Sequence, residues 1–193
     1  MNSEFQYPPL KAGHFRLLTI SALECDIVCK LDSFALDDAP PYDAISYAWG
    51  PKEAPVDITC NARRMRISPQ LAGMLRHLHL YRPLPKSYKI WINALCIDQT
   101  NETEKEKQTP CMRSIYSKAQ HVIIWLREQQ NASEMVMRSI PDLTRRMEGL
   151  EYIKHLDKKS ASNVLMKRGL QGRDHAVWSA FIHLYRRPWF TRL

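Results

Sequence analysis

Residues 88–126, YKIWINALCIDQTNETEKEKQTPCMRSIYSKAQHVIIWL, carry the pattern that decides the fold. Residues 88–95 and 122–126 are nearly unbroken apolar runs, as expected for strands covered on both faces. Between them, Glu104, Gln108, Met112 and Tyr116 recur four apart, and Cys111, Ile115 and Ala119 add an apolar stripe, so residues 102–118 read as an amphipathic helix. Strand, crossover helix and strand form a βαβ unit, which implies a parallel sheet. Pro110 conflicts with one continuous helix, because its ring removes an amide donor and crowds the preceding turn at a cost of about 3 kcal/mol. The helix is expected to kink there or to begin late.

Upstream the chain is β-rich. Residues 15–20, 27–31 and 44–49 have the apolar content of strands. Val56, Ile58 and Cys60 alternate with polar residues, Asn61-Ala62 can turn, and Met65 and Ile67 alternate on the return, which predicts a hairpin. Ser68-Pro69 supplies an N-cap and a proline at the first helical position. Leu71, Met74, Leu75 and Leu78 then continue at helical spacing until Pro83 forces an end. Downstream, residues 135–147, 152–167 and 176–185 read as helices, the last with Val177, Ala180, Phe181 and Leu184 inward. The expected architecture is an α/β fold with a β-rich opening and a mainly helical final third.

Bulk properties narrow the function classes. A chain of 193 residues with 45% hydrophobic composition buries one sizeable core. The first twenty residues lack a signal-peptide pattern, and no stretch approaches the ~20 apolar residues of a membrane span, so a soluble, cytoplasmic protein is expected. Cys25, Cys29, Cys60, Cys96 and Cys111 form no CxxC pair and read as reduced thiols, mostly core. His77 and His79 diverge on a helix, so no metal site is expected. The net charge of +8 is concentrated after residue 137, where 12 Lys and Arg stand against 5 Asp and Glu. Without interleaved aromatics, this reads as solvated helix faces rather than a nucleic-acid surface.

Three blocks in order then carry a family resemblance. Tyr42-Asp43-Ala44-Ile45-Ser46-Tyr47-Ala48-Trp49-Gly50 resembles the Y-x-A-[LI]-S-Y-x-W-G block of the fungal heterokaryon incompatibility (HET) domain. Residues 91–99, WINALCIDQ, resemble its W-I-D-A-[IL]-C-I-N-Q, and Arg187-Pro188-Trp189-Phe190-Thr191-Arg192 resembles the start of R-P-W-F-x-R-[VL]-W-x-x-Q-E. The spacer matches as well, with Glu104, Gln108, Met112, Ile115-Tyr116, Ala119 and residues 122–126 in register with the family pattern. Three departures stand out. Asn93 and Asp98 exchange amide and carboxylate, Thr109-Pro110 interrupts a helical stretch, and Arg127 stands where the family often has Gly.

The resemblance implies residues 1–41 as a β-rich lead-in and residues 42–193 as a HET domain cut short within its third block. HET domains are similar in organisation to TIR domains, which join a parallel sheet to self-association or to cleavage of NAD. The implied function is a signalling and interaction module in nonself recognition and programmed cell death, working through a protein partner or self-association. The alternative is a TIR-like NAD glycohydrolase with NAD as substrate. The glutamate that the comparison with TIR enzymes points to would lie beyond Leu193, so this chain is expected not to cleave NAD.

In open parallel sheets ligands bind past the carboxyl ends of the strands. That rule and the signature blocks select Ser46, Tyr47, Trp49, Gly50, Asn93, Cys96, Asp98 and Gln99, with Glu104 on the following helix and Arg187 and Trp189 in the last block. Each has a plainer role open to it. Trp49 can stack on a ring or fill core, Gly50 can serve a tight turn or ligand approach, and Cys96 can be a nucleophile or an inert thiol. Asp98 and Gln99 follow a buried strand and must be satisfied by neighbours or by a ligand. Glu104 can simply favour the start of its helix, and Arg187 with Trp189 can form a clamp or a packed corner.

Overall fold

A computed structural model describes residues 3–22, 26–50, 53–81, 87–127, 133–170 and 176–191. The described chain divides into two compact units, residues 1–127 and 128–193. Calls that fall on Cys25, Pro83 and Arg192, and on the side chain of Val177, lie outside the described residues.

The first unit is built on seven strands, β1 (His14–Ala22), β2 (Val28–Ala35), β3 (Tyr42–Tyr47), β4 (Val56–Cys60), β5 (Arg63–Ile67), β6 (Lys89–Ile92) and β7 (His121–Trp125). Their order is β5-β4-β2-β1-β6-β3-β7. The three strands β6, β3 and β7 are parallel, with Ala44 opposite Trp91 and Val122. The parallel sheet that the sequence predicts is therefore present, but β3 lies between the two strands of the βαβ unit. The β-rich opening joins the same sheet through antiparallel pairing of β1 with β2 and with β6.

Local chemistry explains the hairpin of β4 and β5. Asn61 and Ala62 both take positive φ, 50° and 61°, the paired left-handed conformation of a two-residue hairpin turn. The Asn61 amide also bonds both ways to the Leu31 backbone, at 2.9 and 3.1 Å, pinning the turn to β2. Helix α1 (Pro69–Tyr81) begins as predicted, with the Leu71 N–H donating to the Ser68 hydroxyl at 3.2 Å.

Several boundaries differ from expectation. The apolar run 88–95 yields only a four-residue strand and then turns into a short helix, α2 (Asn93–Cys96), because Leu95 and Cys96 pack inward at the end of β6. Residues 102–118 form two helices, α3 (Glu102–Gln108) and α4 (Met112–Lys118), broken where Pro110 cannot donate. β7 is not covered on both faces, since Val122 and Ile124 are 49% and 45% exposed. In this unit Trp91, Ile90, Ile92, Phe15, Leu17 and Leu18 are fully buried. One carboxylate, Asp43 on β3, is also buried, accepting from the Tyr88 hydroxyl and lying 3.0 Å from the His121 ring nitrogen.

The second unit contains α5 (Ser133–Met147), a 3₁₀ turn (Glu151–His155), α6 (Lys158–Lys167) and α7 (Ala176–Tyr185). Residues 152–167 are not one helix. Asp157 accepts from the Lys159 and Ser160 amides at 2.9 and 3.1 Å, and this cap starts a new helix after the 3₁₀ turn. Among the described residues, no helix is long and apolar enough to cross a membrane.

Candidate functional site

Past the carboxyl ends of β3 and β6 the first unit opens a cleft of about 600 Å3, within the ~300–1,000 Å3 range of small-molecule sites. Tyr47 and Trp49 enter it as the chain leaves β3, and Ala94, Leu95 and the 98–100 loop enter after β6. The facing walls come from β5, through Arg64 and Arg66 among others, and from an N-terminal arm, Glu4 to Tyr7. Four of the residues selected from sequence, Tyr47, Trp49, Asp98 and Gln99, thus meet in one place.

The loop is held by its own polar groups. Asp98 Oδ1 accepts from the Thr100 amide at 2.9 Å and the Thr100 hydroxyl at 2.7 Å, a local turn that leaves Asp98 at the cleft wall. Gln99 Nε2 donates to the carbonyls of Asn93 and Ile97 at 2.8 and 3.1 Å, tying the loop to α2. Asn93 is not among the described walls of the cleft, so the exchanged pair Asn93 and Asp98 is not brought together there. Asp98→Asn combined with Asn93→Asp is therefore expected to leave stability nearly unchanged, because an amide oxygen can still accept from Thr100. A thermal melt shifted by more than a few degrees would show that the carboxylate at residue 98 is itself structural.

The remaining candidates are not among the described residues that line the cleft. Ser46 lies in the buried strand β3. Cys96 is buried and its sulfur accepts from the Ile92 amide at 3.4 Å, while burial pushes the thiol up to about 12, so it stays protonated near neutral pH. Gly50 has φ +75°, a conformation that favours glycine, and a Cβ there would lie 2.9 Å from the Arg127 guanidinium. Arg127 itself has φ 76°, which gives a physical reason for glycine at this position in other sequences. Arg187 and Trp189 belong to the second unit. There the Arg187 amide donates to the Leu184 carbonyl at 3.1 Å and Trp189 packs edge-on to Phe190.

Glu104 has a role that its sequence position does not reveal. The helix cap is Asn101, whose side chain accepts from the Glu104 amide at 3.1 Å. The Glu104 carboxylate instead pairs with Arg16 at 2.5 and 3.0 Å and accepts from the Asp98 amide at 2.8 Å. Arg16 is 2% exposed and also donates to the carbonyls of Cys96 and Pro8, with its guanidinium 4.9 Å from the Tyr7 ring. One buried guanidinium thus joins the Asp98 loop to the N-terminal arm, two walls of the cleft. Burial raises the phenols of Tyr7 and Tyr47, so both are neutral hydrogen-bonding groups there. Arg16 was not singled out from the sequence, although a charge set among Phe15, Leu17 and Leu18 is a pattern that signals a buried partner. Among the described residues no group of three or more potential metal ligands is assembled.

Comparison with known proteins places these features in a family. Residues 42–193 match the family model described as heterokaryon incompatibility protein (HET). The chain belongs to the HET family. It is also 32% identical over 143 residues to heterokaryon incompatibility protein 6, OR allele, of Neurospora crassa. That alignment covers 67% of this chain and 21% of the relative, so the chain spans about a fifth of that protein's length. No solved structure matches the chain. Set against the HET signature, the first block is β3 and its exit into the cleft, and the second is β6, α2 and the cleft loop.

Proposed function

We propose that this chain supplies the HET domain of a cytoplasmic protein of fungal heterokaryon incompatibility, a module whose self-association or contact with a protein partner triggers cell death. The observation that carries the reading is the family match over residues 42–193, supported by the relative whose name states a heterokaryon incompatibility role. The cleft adds a control point, because Tyr47, Trp49, Asp98 and Gln99, all at positions within the HET signature blocks, line it.

The test is inducible expression of the chain in a filamentous fungus, with dye uptake as the measure of hyphal death. Induction is expected to kill cells, and Trp49→Ala is expected to reduce killing at equal protein level. Survival of fully expressing hyphae would overturn the proposal for this chain. Free nicotinamide released from NAD by the purified chain would instead favour the glycohydrolase alternative.

A further inference from the structure

We infer that the cleft binds a small anionic molecule carrying a planar ring, and that Glu4 of the N-terminal arm competes with that molecule for Arg66. Trp49 supports the ring. It stands at the cleft 51% exposed, beside Tyr47, and a large aromatic left half in solvent at the edge of a cleft offers a stacking face. The anion is supported by β5, where Arg64 and Arg66 are two residues apart on an extended strand and so share a face. Both line the cleft, and guanidinium groups are suited to two-point contact with phosphate or carboxylate.

These arginines are occupied by weak, exchangeable partners. Arg66 meets Glu4 at 3.0 Å and Arg64 meets Asp57 at 3.7 Å, all four side chains being more than half exposed. Exposed pairs of this kind contribute little, so an anion making two contacts can replace them. Glu4 is not there by accident of a loose terminus. The Phe5 amide donates to the Arg64 carbonyl at 2.7 Å, and the Arg64 amide donates to the Ser3 carbonyl at 3.1 Å. The arm is thus bonded to the edge of β5, and Arg16 holds it again at Pro8. Asp98 also lines the cleft, and its carboxylate disfavours the anionic end beside it, which directs that end to the arginines. Its acceptor oxygens suit hydroxyl or amine donors on the remainder of the molecule. The arm precedes residue 42, where the family match begins, so this wall is supplied from outside the matched region.

The experiment is calorimetric titration of the full chain with adenosine 5′-monophosphate, adenosine and inorganic phosphate, each against the wild type, Glu4→Gln, Arg66→Gln and Trp49→Ala. All three substituted side chains are well exposed, and unchanged thermal melts would establish that each variant is folded. The nucleotide is expected to bind more tightly than adenosine or phosphate. Glu4→Gln should tighten nucleotide binding several-fold by removing the competitor. Arg66→Gln should weaken it by about tenfold, the loss of one charge-assisted contact, and Trp49→Ala should weaken nucleotide and adenosine but not phosphate. Phosphate binding as tightly as the nucleotide would overturn the ring, and adenosine binding as tightly would overturn the anion. No change in Glu4→Gln would overturn the competition, and no binding of any probe to any variant would overturn the site. These readouts use purified protein, so they stand or fall separately from killing in hyphae.

Discussion

Glu104→Ala is expected to destabilise the first unit by about 3–5 kcal/mol, the cost of leaving one member of a buried ion pair without its partner. The carboxylate is 11% exposed and Arg16 2%, so water cannot take its place without reopening the core. Against a typical total stability of about 5–15 kcal/mol, that loss is enough to reduce soluble yield sharply. The same change frees the Asp98 amide, so the cleft loop should loosen along with the fold. Urea denaturation followed by circular dichroism measures the effect. Changing both partners together, Arg16→Leu with Glu104→Leu, should recover only part of the loss. The uncompensated charge is then gone, but the bonds to Pro8, Cys96 and Asp98 are lost with it. A Glu104→Ala variant as stable as the wild type would show that Arg16 is satisfied without the carboxylate.

Trp91→Ala should be comparably severe, about 3–5 kcal/mol for an aromatic removed from a packed core. Trp91 is fully buried in β6 and meets the Tyr116 ring edge-on at 5.1 Å. Trp91→Phe should cost much less. Among the described residues the buried indole N–H has no hydrogen-bond partner, so phenylalanine removes an unsatisfied donor along with the volume it gives up. Trp125→Ala should also fall below Trp91→Ala, because Trp125 on β7 is only partly buried, packed against the His77 ring at 4.8 Å. Thermal melts of the three variants give the ranking directly. Equal losses at Trp91 and Trp125 would mean that β7 is as enclosed as β6, contrary to the exposure of Val122 and Ile124.

Much of the candidate site could be read from the chain because strand ends are local. Tyr47, Trp49, Asp98 and Gln99 were selected because they stand at or just past the carboxyl ends of strands within the signature blocks, and they do line one cleft. The other half of that cleft was not legible. Arg64 and Arg66 look like the solvent side of an amphipathic strand, and Glu4 to Tyr7 look like a lead-in, until the sheet order brings both to the same opening. Glu104 was ambiguous for a related reason. A glutamate in the first turn of a helix has a sufficient local explanation, and only its partner 88 residues earlier shows that it is spent on a buried charge.

By itself the sequence determined whatever depends on neighbours along the chain. Alternation at Val56, Ile58 and Cys60 with Asn61-Ala62 specified the hairpin, Ser68-Pro69 started α1, Pro110 broke the crossover helix, and the three signature blocks identified the HET family. The tertiary structure alone decided which strand lies between β6 and β7, why 88–95 stops being a strand after Ile92, and how much of β7 stays exposed. It also decided that Arg16 and Glu104 pair. The physical reason is that periodicity and capping are short-range, repaid within a few residues. Strand order, burial and ion pairing depend on which distant surfaces exclude water together, and a charge is driven to a particular partner only after that exclusion is complete.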